Sequence, residues 1–227
     1  MSFSLRHVTR VLILFAAIAP LVGCAPTRPN LDTSTWLIDP KRTGEPRKPN
    51  TDFWLKVGPV SVDGPFDSKS MVYRLGDQRY EKDFYNGYIS TPAEMVSNAT
   101  RQWISEANIF KAAVNQSNTF FPYYALQVNV TELYGDYRGQ PEAVVSIHFY
   151  LTVLSTGTQN PILMSNRYTQ RVPLKDNRPG TLANGLQQAF ATILQRFEAG
   201  RVLRPIIMSE VAVGCAGSDN QMVKVKT

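Results

Sequence analysis

Three long segments of alternating apolar and polar residues lie in the second half of the chain, at 123–133, 143–154 and 163–172. Such alternation, with a period of two, is typical of strands that bury one face. Gly135 and Gly139 lie between the first two segments, and Gly157 lies between the second and the third. Because the connections are short, the segments predict two hairpins in series, which form an antiparallel meander.

Two amphipathic helices are predicted, one before the meander and one after it. The first begins at Thr91-Pro92-Ala93-Glu94, where Thr91 is a good N-cap, Pro92 suits the first helical position and Glu94 completes a capping box. The second begins near Thr181 and ends at Gly200, a natural C-cap. Each helix repeats apolar residues at steps of three and four, which predicts one buried face.

Shorter strands complete the predicted fold. A strand over 53–62 is expected to break or bulge at Gly58-Pro59, because proline cannot donate to a strand ladder. Residues 70–75 and 79–85 predict a hairpin, and 34–38 and 109–114 are short strand-forming runs. The sum is an α+β fold: a mostly antiparallel β-sheet with two amphipathic helices packed on one face, preceded by a leader.

The leader predicts export and lipidation. Arg6 and Arg10 precede an apolar run that is too short to cross a bilayer, which is the layout of a secretory signal peptide. Leu21, Val22 and Gly23 then precede Cys24, and these four residues resemble the lipobox of bacterial lipoproteins. The resemblance implies that Cys24 receives a diacylglyceryl group and becomes the acylated N-terminus after cleavage behind Gly23. The alternative is an ordinary secreted protein with an incidental cysteine.

These features divide the chain into four parts. We expect a signal peptide over 1–23, a lipidated tether over 24–33, one α+β domain over 34–200 and a C-terminal extension over 201–227. Ala25, rather than an aspartate, follows Cys24, and under the usual sorting rule this implies the periplasmic face of the outer membrane. Cys215 then has no partner within the chain, so it is interpreted as a quiet thiol or as a site of pairing between molecules.

Charge offers little support for a nucleic-acid partner. The net charge of +6 includes Arg6 and Arg10 of the leader, which leaves about +4 on scattered sites. Four cations lie in one loop, at Lys41, Arg42, Arg47 and Lys48. This loop is either a contact for phospholipid head groups or simply solvated, and the solvated interpretation is favoured.

Aromatic residues crowd two places. Tyr80, Phe84, Tyr85 and Tyr88 lie in the predicted hairpin, and Phe120, Phe121, Tyr123 and Tyr124 lie at the entrance to the meander. Such residues pair across strands in a core, and they also dominate the energetics of interfaces. The hairpin group is therefore either core or the surface for a partner or an acyl chain, and both interpretations stay open here.

The residues expected of an enzyme are missing from the sequence. Outside the leader His148 is the one histidine, and it is expected to be a half-buried structural residue of a strand. One histidine and at most one thiol exclude a Cys/His zinc site, so no metal and no cofactor beyond the lipid on Cys24 are predicted. No Gly-x-Ser-x-Gly elbow is present, and nothing in the sequence pairs Asp136 and Glu142 as acid and base.

Several short motifs resemble the ABC-type transport auxiliary lipoproteins over about residues 36–198. They are Val57-Gly58-Pro59-Val60-Ser61-Val62, then Met71-Val72-Tyr73-Arg74, an aromatic hairpin with a following helix, and Tyr124-Ala125-Leu126-Gln127-Val128-Asn129-Val130. The chain departs from that family at Tyr88-Ile89-Ser90-Thr91-Pro92, where members usually have a tryptophan followed by an acid and a proline.

The resemblance implies a subunit that is not an enzyme. Such proteins act with a mammalian-cell-entry (MCE) domain protein and an ABC permease and ATPase, which move phospholipids or other hydrophobic molecules between two membranes, and some members form rings. We therefore expect a docking subunit that supports envelope integrity, with homo-oligomers as a further expectation. The alternative is a scaffold lipoprotein of another envelope machine, for lipopolysaccharide or outer-membrane protein assembly.

Overall fold

The predicted meander forms one side of an eight-stranded sheet. A computed structural model describes residues 32–46, 52–115, 121–154 and 161–200. The strands are β1 Ser34–Trp36, β2 Trp54–Val62, β3 Ser70–Arg74, β4 Tyr80–Tyr88, β5 Ala112–Val114, β6 Tyr124–Asp136, β7 Glu142–Val153 and β8 Ile162–Pro173. The helices are α1 Pro92–Ala107 and α2 Pro179–Ala199, and a short 3-10 helix spans Gly64–Phe66.

Strand β6 is the branch point of the sheet. Antiparallel β7 pairs with it from end to end, and β8 pairs with β7 in the same sense. Two strands share the other edge of β6. Strand β2 pairs in parallel with the first half of β6, and β3 pairs in parallel with Gly135 and Asp136 at the end of β6. Strand β4 pairs with β3 in the antiparallel sense, and β1 pairs with β4 in the parallel sense. Strand β5 pairs in parallel with β2. The two longest ladders are antiparallel, and the predicted α+β architecture is confirmed.

Local sequence signals begin and end α1 as predicted. The Glu94 N–H donates to Thr91 Oγ1, and the Thr91 N–H donates to Glu94 Oε2, so the capping box is complete. At the other end Asn108 takes a left-handed conformation with φ of 53°, which asparagine tolerates better than most residues. The expected irregularity of β2 is also present, as a register shift against β6 between Val57 and Val60.

Both helices pack on one face of the sheet. The apolar side of α1, with Trp103 and Ile104 almost fully buried, meets β2, while Leu186, Phe190 and Phe197 of α2 cover β7 and β8. Side chains on the opposite face of the sheet are mainly polar and partly exposed, as in the row Asn129, His148 and Arg167 across β6, β7 and β8. The core therefore lies between one face of the sheet and the two helices.

Residues 37–46 form a strap across the two helices. Ile38 is buried in the core and borders the same small apolar cavity as Met95 of α1 and Leu186 of α2. Further along, the Asp39 N–H donates to Gln187 Oε1 at 3.2 Å. The strap is therefore an integral part of the fold.

Arg42 of the strap makes a buried ion pair. Its Nε and Nη2 donate to the two carboxylate oxygens of Glu198, both at 2.9 Å, and Trp103 Nε1 donates to the same carboxylate at 3.0 Å. The prediction of a solvated basic loop is thus wrong at Arg42, because a carboxylate at the end of α2 holds the guanidinium below the surface. Lys41 is exposed and pairs with Asp39, and Arg47 and Lys48 lie outside the described residues.

In the ranges that the structure describes, no helix is long and apolar enough to span a membrane. The predicted signal peptide and C-terminal extension, and all of the tether before Asp32, lie outside those ranges.

Candidate partner-binding surface

A wide bulge interrupts the hairpin of β3 and β4. Ser70 pairs with Gly87 and Val72 pairs with Lys82, so residues 83–86 of β4 lie opposite Met71 alone. We call residues 83–86 the β4 bulge. Bulges leave residues unpaired and re-aim their side chains, and they are frequent near functional sites.

Asp83 holds the β4 bulge in shape. Its carboxylate accepts the backbone N–H groups of Tyr85 at 2.8 Å and Asn86 at 3.0 Å, the Asn86 side-chain amide at 2.9 Å and the Tyr73 hydroxyl at 2.5 Å. Partial burial by itself would raise the pKa of Asp83, but these hydrogen bonds outweigh it and the pKa lies below its ordinary value. Burial, together with the contact with Asp83, raises the pKa of Tyr73. Asp83 is therefore an ionised acceptor that fixes the backbone of the bulge.

The β4 bulge presents two aromatic rings to solvent. Phe84 is 73% exposed and Tyr85 is 50% exposed, and their rings meet edge to face with centroids 5.3 Å apart. Leu37 and Ile89, at the far end of the β1–β4 ladder, are also exposed, and the Ile89 N–H donates to the Trp36 carbonyl. We call Leu37, Phe84, Tyr85 and Ile89 the edge surface. Apolar side chains of this size on a sheet edge are typical of a docking surface.

The structure separates the four predicted hairpin aromatics. Phe84 and Tyr85 lie on the edge surface. Tyr80 is partly exposed, but it packs edge to face on Tyr134 of β6, at 5.6 Å between centroids, away from the bulge. Tyr88 is only 2% exposed, so the core interpretation is right for this residue and its possible place in a partner surface is wrong. The extra residues of the bulge shift the alternation along β4, and Tyr88 points into the core, where burial raises its pKa.

The second group of aromatic residues is also divided between the core and the surface. Tyr124 is buried, Tyr123 stacks on Phe53 at 4.5 Å, and Phe121 is fully exposed. Phe120 lies outside the described residues. These rings lie at the start of β2 and β6, at the opposite end of the sheet from the β3–β4 turn.

His148 contacts a serine that the sequence analysis did not single out. His148 Nε2 lies 2.9 Å from Ser165 Oγ on β8, and Nδ1 lies 2.9 Å from the Tyr150 hydroxyl. Burial, and then the charge of Arg167, lower the pKa of His148. A nucleophilic serine also needs a group that stabilises the imidazolium, usually a carboxylate on the second nitrogen. A phenol takes that place here and Arg167 disfavours the charge, so the arrangement fits the expected structural role.

Asp136 and Glu142 are linked through arginine and not through each other. Arg138 donates to Asp136 through Nε and Nη2, and Arg171 Nη1 lies 3.2 Å from Asp136 and 2.9 Å from Glu142. Both carboxylates thus accept hydrogen bonds from arginine in a structural network at the end of the meander. Within the described segments, no three His, Cys, Asp or Glu side chains converge on a position that would hold a metal ion.

The predicted lipidation site, Cys24, and its lipobox, Leu21, Val22 and Gly23, lie outside the residues that the structure describes. The sequence motif is therefore the sole basis for that site, and lipidation stays a prediction.

Comparison with known proteins gives a family match over most of the chain. The model of a family described as "ABC-type transport auxiliary lipoprotein component" matches residues 36–197. No curated protein sequence matches the chain.

Two solved structures are similar in fold. A Xanthomonas campestris protein is 17% identical, with a TM-score of 0.68 over 80% of this chain and 99% of its own. A structure described as an uncharacterized protein is 18% identical, with a TM-score of 0.55 over 69% of this chain and 95% of its own. At these identities the likeness extends to the fold alone.

Proposed function

Because this chain belongs to the ABC-type transport auxiliary lipoprotein family, we propose that it is a docking subunit of an MCE-type ABC transporter for phospholipids or other hydrophobic molecules. The observation that carries the proposal is the family match over residues 36–197, which includes all of the sheet from β2 onwards and nearly all of α2. The ATPase, the permease and the MCE-domain protein are separate chains. We propose that this chain is not an enzyme and that it supports envelope integrity by joining them to a membrane.

We propose that this membrane is the outer membrane, on the basis of the motif at Cys24. A lipid on Cys24, with Ala25 behind it, would hold the chain on the periplasmic face of the outer membrane. Stable anchoring requires two or more acyl chains, and a mature bacterial lipoprotein with three would meet that requirement. The family's description as a lipoprotein component supports the anchor.

The edge surface is the proposed docking site for the MCE-domain protein. Its rings are exposed and lie on a bulge whose backbone Asp83 fixes, so little conformational entropy remains to be lost on binding. Rigid aromatic anchors of this kind commonly dominate binding energy.

The test is a double substitution, Phe84→Ala with Tyr85→Ala. Loss of interface aromatics commonly costs 2 kcal/mol or more, so the affinity for the purified MCE-domain protein is expected to fall by roughly thirtyfold. Circular dichroism should show an unchanged fold, because neither ring is part of the core.

Two single substitutions serve as controls for that experiment. Phe121→Ala removes another exposed ring at the far end of the sheet and should bind as the wild type does. His148→Ala should also retain function in envelope-integrity assays. A folded double variant with undiminished affinity would rule out the edge surface, and a folded but inactive His148→Ala chain would revive an enzymatic function.

We also propose that copies of the chain associate through β8. This strand is twelve residues long and, within the described sheet, pairs with β7 alone. A long unpaired edge is a template for another strand. Light scattering of the purified chain tests this proposal, and a monomer at all concentrations would contradict it.

A further inference from the structure

A cleft of about 660 Å³ opens between Trp36 and the first turns of α2. Trp36, Val172 and Leu174 supply apolar surface, and polar groups come from both the preceding loop and the helix. The volume falls within the range of about 300 to 1,000 Å³ that is typical of small-molecule sites. None of the residues that line the cleft belongs to the edge surface, although Leu37 of that surface follows Trp36 directly in the chain.

The cleft is formed by tight packing of Trp36 on the helix. A Cβ on Gly180 would lie 2.7 Å from Cη2 of Trp36, so the indole rests on bare helix backbone. The pairing of Trp36 with Tyr88 in the β1–β4 ladder fixes the backbone of Trp36. Because both attachments lie in regular structure, the site exists before any ligand arrives.

The charged groups of the cleft are cationic. Lys175 and Arg178 line it together with Thr181, Asn184 and Gln188, and none of its lining residues is acidic. Lys175 makes no ion pair with another described residue. Asp176 accepts Nε and Nη2 of Arg178 at 2.9 and 2.6 Å and also the Thr181 side chain, which leaves Nη1 of Arg178 available. Lys175, this Nη1 and two side-chain amides beside an apolar wall suit a phosphate group that carries an apolar remainder.

The position of the cleft along the chain selects the source of that phosphate. Trp36 follows Thr33 by three residues, and nine peptide units separate Thr33 from Cys24 (33 − 24 = 9). Nine units extend to at most about 30 Å. A lipid on Cys24 would therefore keep the cleft close to a bilayer surface, where tryptophan and basic side chains are favoured.

We infer that this cleft holds the headgroup of an anionic phospholipid in the membrane that carries the anchor, so that the α2 end of the domain lies against the bilayer. The inference rests on the proposed lipidation of Cys24. It gives the chain a second membrane contact beside the lipid, and it leaves Phe84 and Tyr85 of the edge surface free for a protein partner.

The experiment uses the full lipidated chain in two kinds of nanodisc, one of phosphatidylcholine alone and one that also contains phosphatidylglycerol. Hydrogen exchange is measured for the backbone amides of residues 174–181, which precede α2 or lie in its first turn, where amides lack helical acceptors. We expect slower exchange in the presence of phosphatidylglycerol. Lys175→Glu with Arg178→Glu should weaken that protection by about thirtyfold.

A matched control and a soluble probe separate the outcomes. Lys111→Glu with Arg167→Glu reverses one exposed lysine and one exposed arginine elsewhere and should retain the protection. Equal protection in both nanodiscs, or protection that survives the cleft substitutions, would overturn the inference. Protection by soluble glycerol phosphate in phosphatidylcholine nanodiscs would assign the cleft to free phosphate and overturn membrane docking. A chain that enters neither nanodisc would overturn the anchor at Cys24, and the inference with it.

Discussion

Two carboxylates, Asp136 and Glu198, are buried in the described part of the protein, and arginine pairs with each. Asp136 accepts Nε and Nη2 of Arg138 and also contacts Arg171. The Arg138 hydrogen bonds, aided by Arg171, outweigh the effect of burial and hold the pKa of Asp136 well below its ordinary range. In the folded protein this carboxylate therefore stays ionised to a lower pH than it does in the unfolded chain.

This difference predicts acid sensitivity with a definite sign. A lowered pKa in the folded state contributes stability above the unfolded pKa of about 4, and that contribution is lost as the pH falls below it. We expect Asp136→Asn to cost about 3 kcal/mol at neutral pH, because the arginines lose a buried partner. Urea unfolding from about pH 7 to about pH 3 should then show a flatter pH dependence for the variant than for the wild type. Parallel curves for the two proteins would show that Asp136 does not contribute to acid sensitivity.

Single residues also show the limits of the sequence patterns. His148 was placed correctly on a strand, because alternation along β7 is regular. Aromatic density could not decide between core and surface for Tyr88, because the bulge at 83–86 that sets its direction is invisible in the sequence. Gly185, in the interior of α2, was not singled out. A Cβ there would lie 2.8 Å from that of Ala143 and would also meet Leu174, both of which are distant in the chain.

Among the elements, the strap joins the most distant parts of the chain. Its Arg42–Glu198 pair is buried on both sides, with side-chain exposures of 6% and 9%. Removing one partner of a buried ion pair commonly costs about 3 to 5 kcal/mol. The strap is therefore held by a contact whose loss is expected to be felt in both helices.

Arg42→Met tests the strap as an element. We expect a loss of unfolding free energy of about 3 kcal/mol or more and faster hydrogen exchange over residues 37–46. Glu198→Gln added to Arg42→Met should recover part of the loss, because the remaining amide is neutral and can still accept from Trp103. Strictly additive effects of the two substitutions would show that the pair is not coupled. Lys41→Met, at an exposed neighbour, is the control.

The elements that the sequence predicted are those with local signals. The capping box of α1, the irregularity at Gly58-Pro59 and the meander all depend on neighbouring residues or on short connections. The parallel pairing of β2 and β3 with one edge of β6, and the path of the strap, depend on contacts between distant segments. Propensity and periodicity carry no information on such contacts, so these features emerged only in the structure.

At the scale of the whole molecule, we propose two contact regions for the domain, the edge surface and the cleft. One is apolar and aromatic, and the other is cationic around an indole. The sequence analysis named Phe84 and Tyr85 of the first region from aromatic density alone, and it left open whether they belong to the core or to a surface. It did not predict the cleft, because Trp36 and Arg178 meet only after β1 and α2 have docked.

The anchor is tested on the intact chain. Cys24→Ser should abolish palmitate labelling and leave an uncut precursor, because a hydroxyl is a far weaker nucleophile than a thiolate. Cys215→Ser is the matched control and should be labelled as the wild type is. Labelling of the Cys24→Ser chain at the wild-type level would refute the lipoprotein assignment.

The Arg42–Glu198 contact also bears on the order in which parts of the chain fold. It joins residues 156 positions apart, and a chain is synthesised from its N-terminus. Residues 37–46 are therefore synthesised early, yet Arg42 cannot form its contact with Glu198 until almost all of α2 has been synthesised. Contacts of such long sequence separation form slowly, because chain entropy is lost before any contact is gained. Ile38 thus remains without its final partners on α2 throughout the synthesis of the sheet, and we expect closure of the strap to be among the last steps of folding.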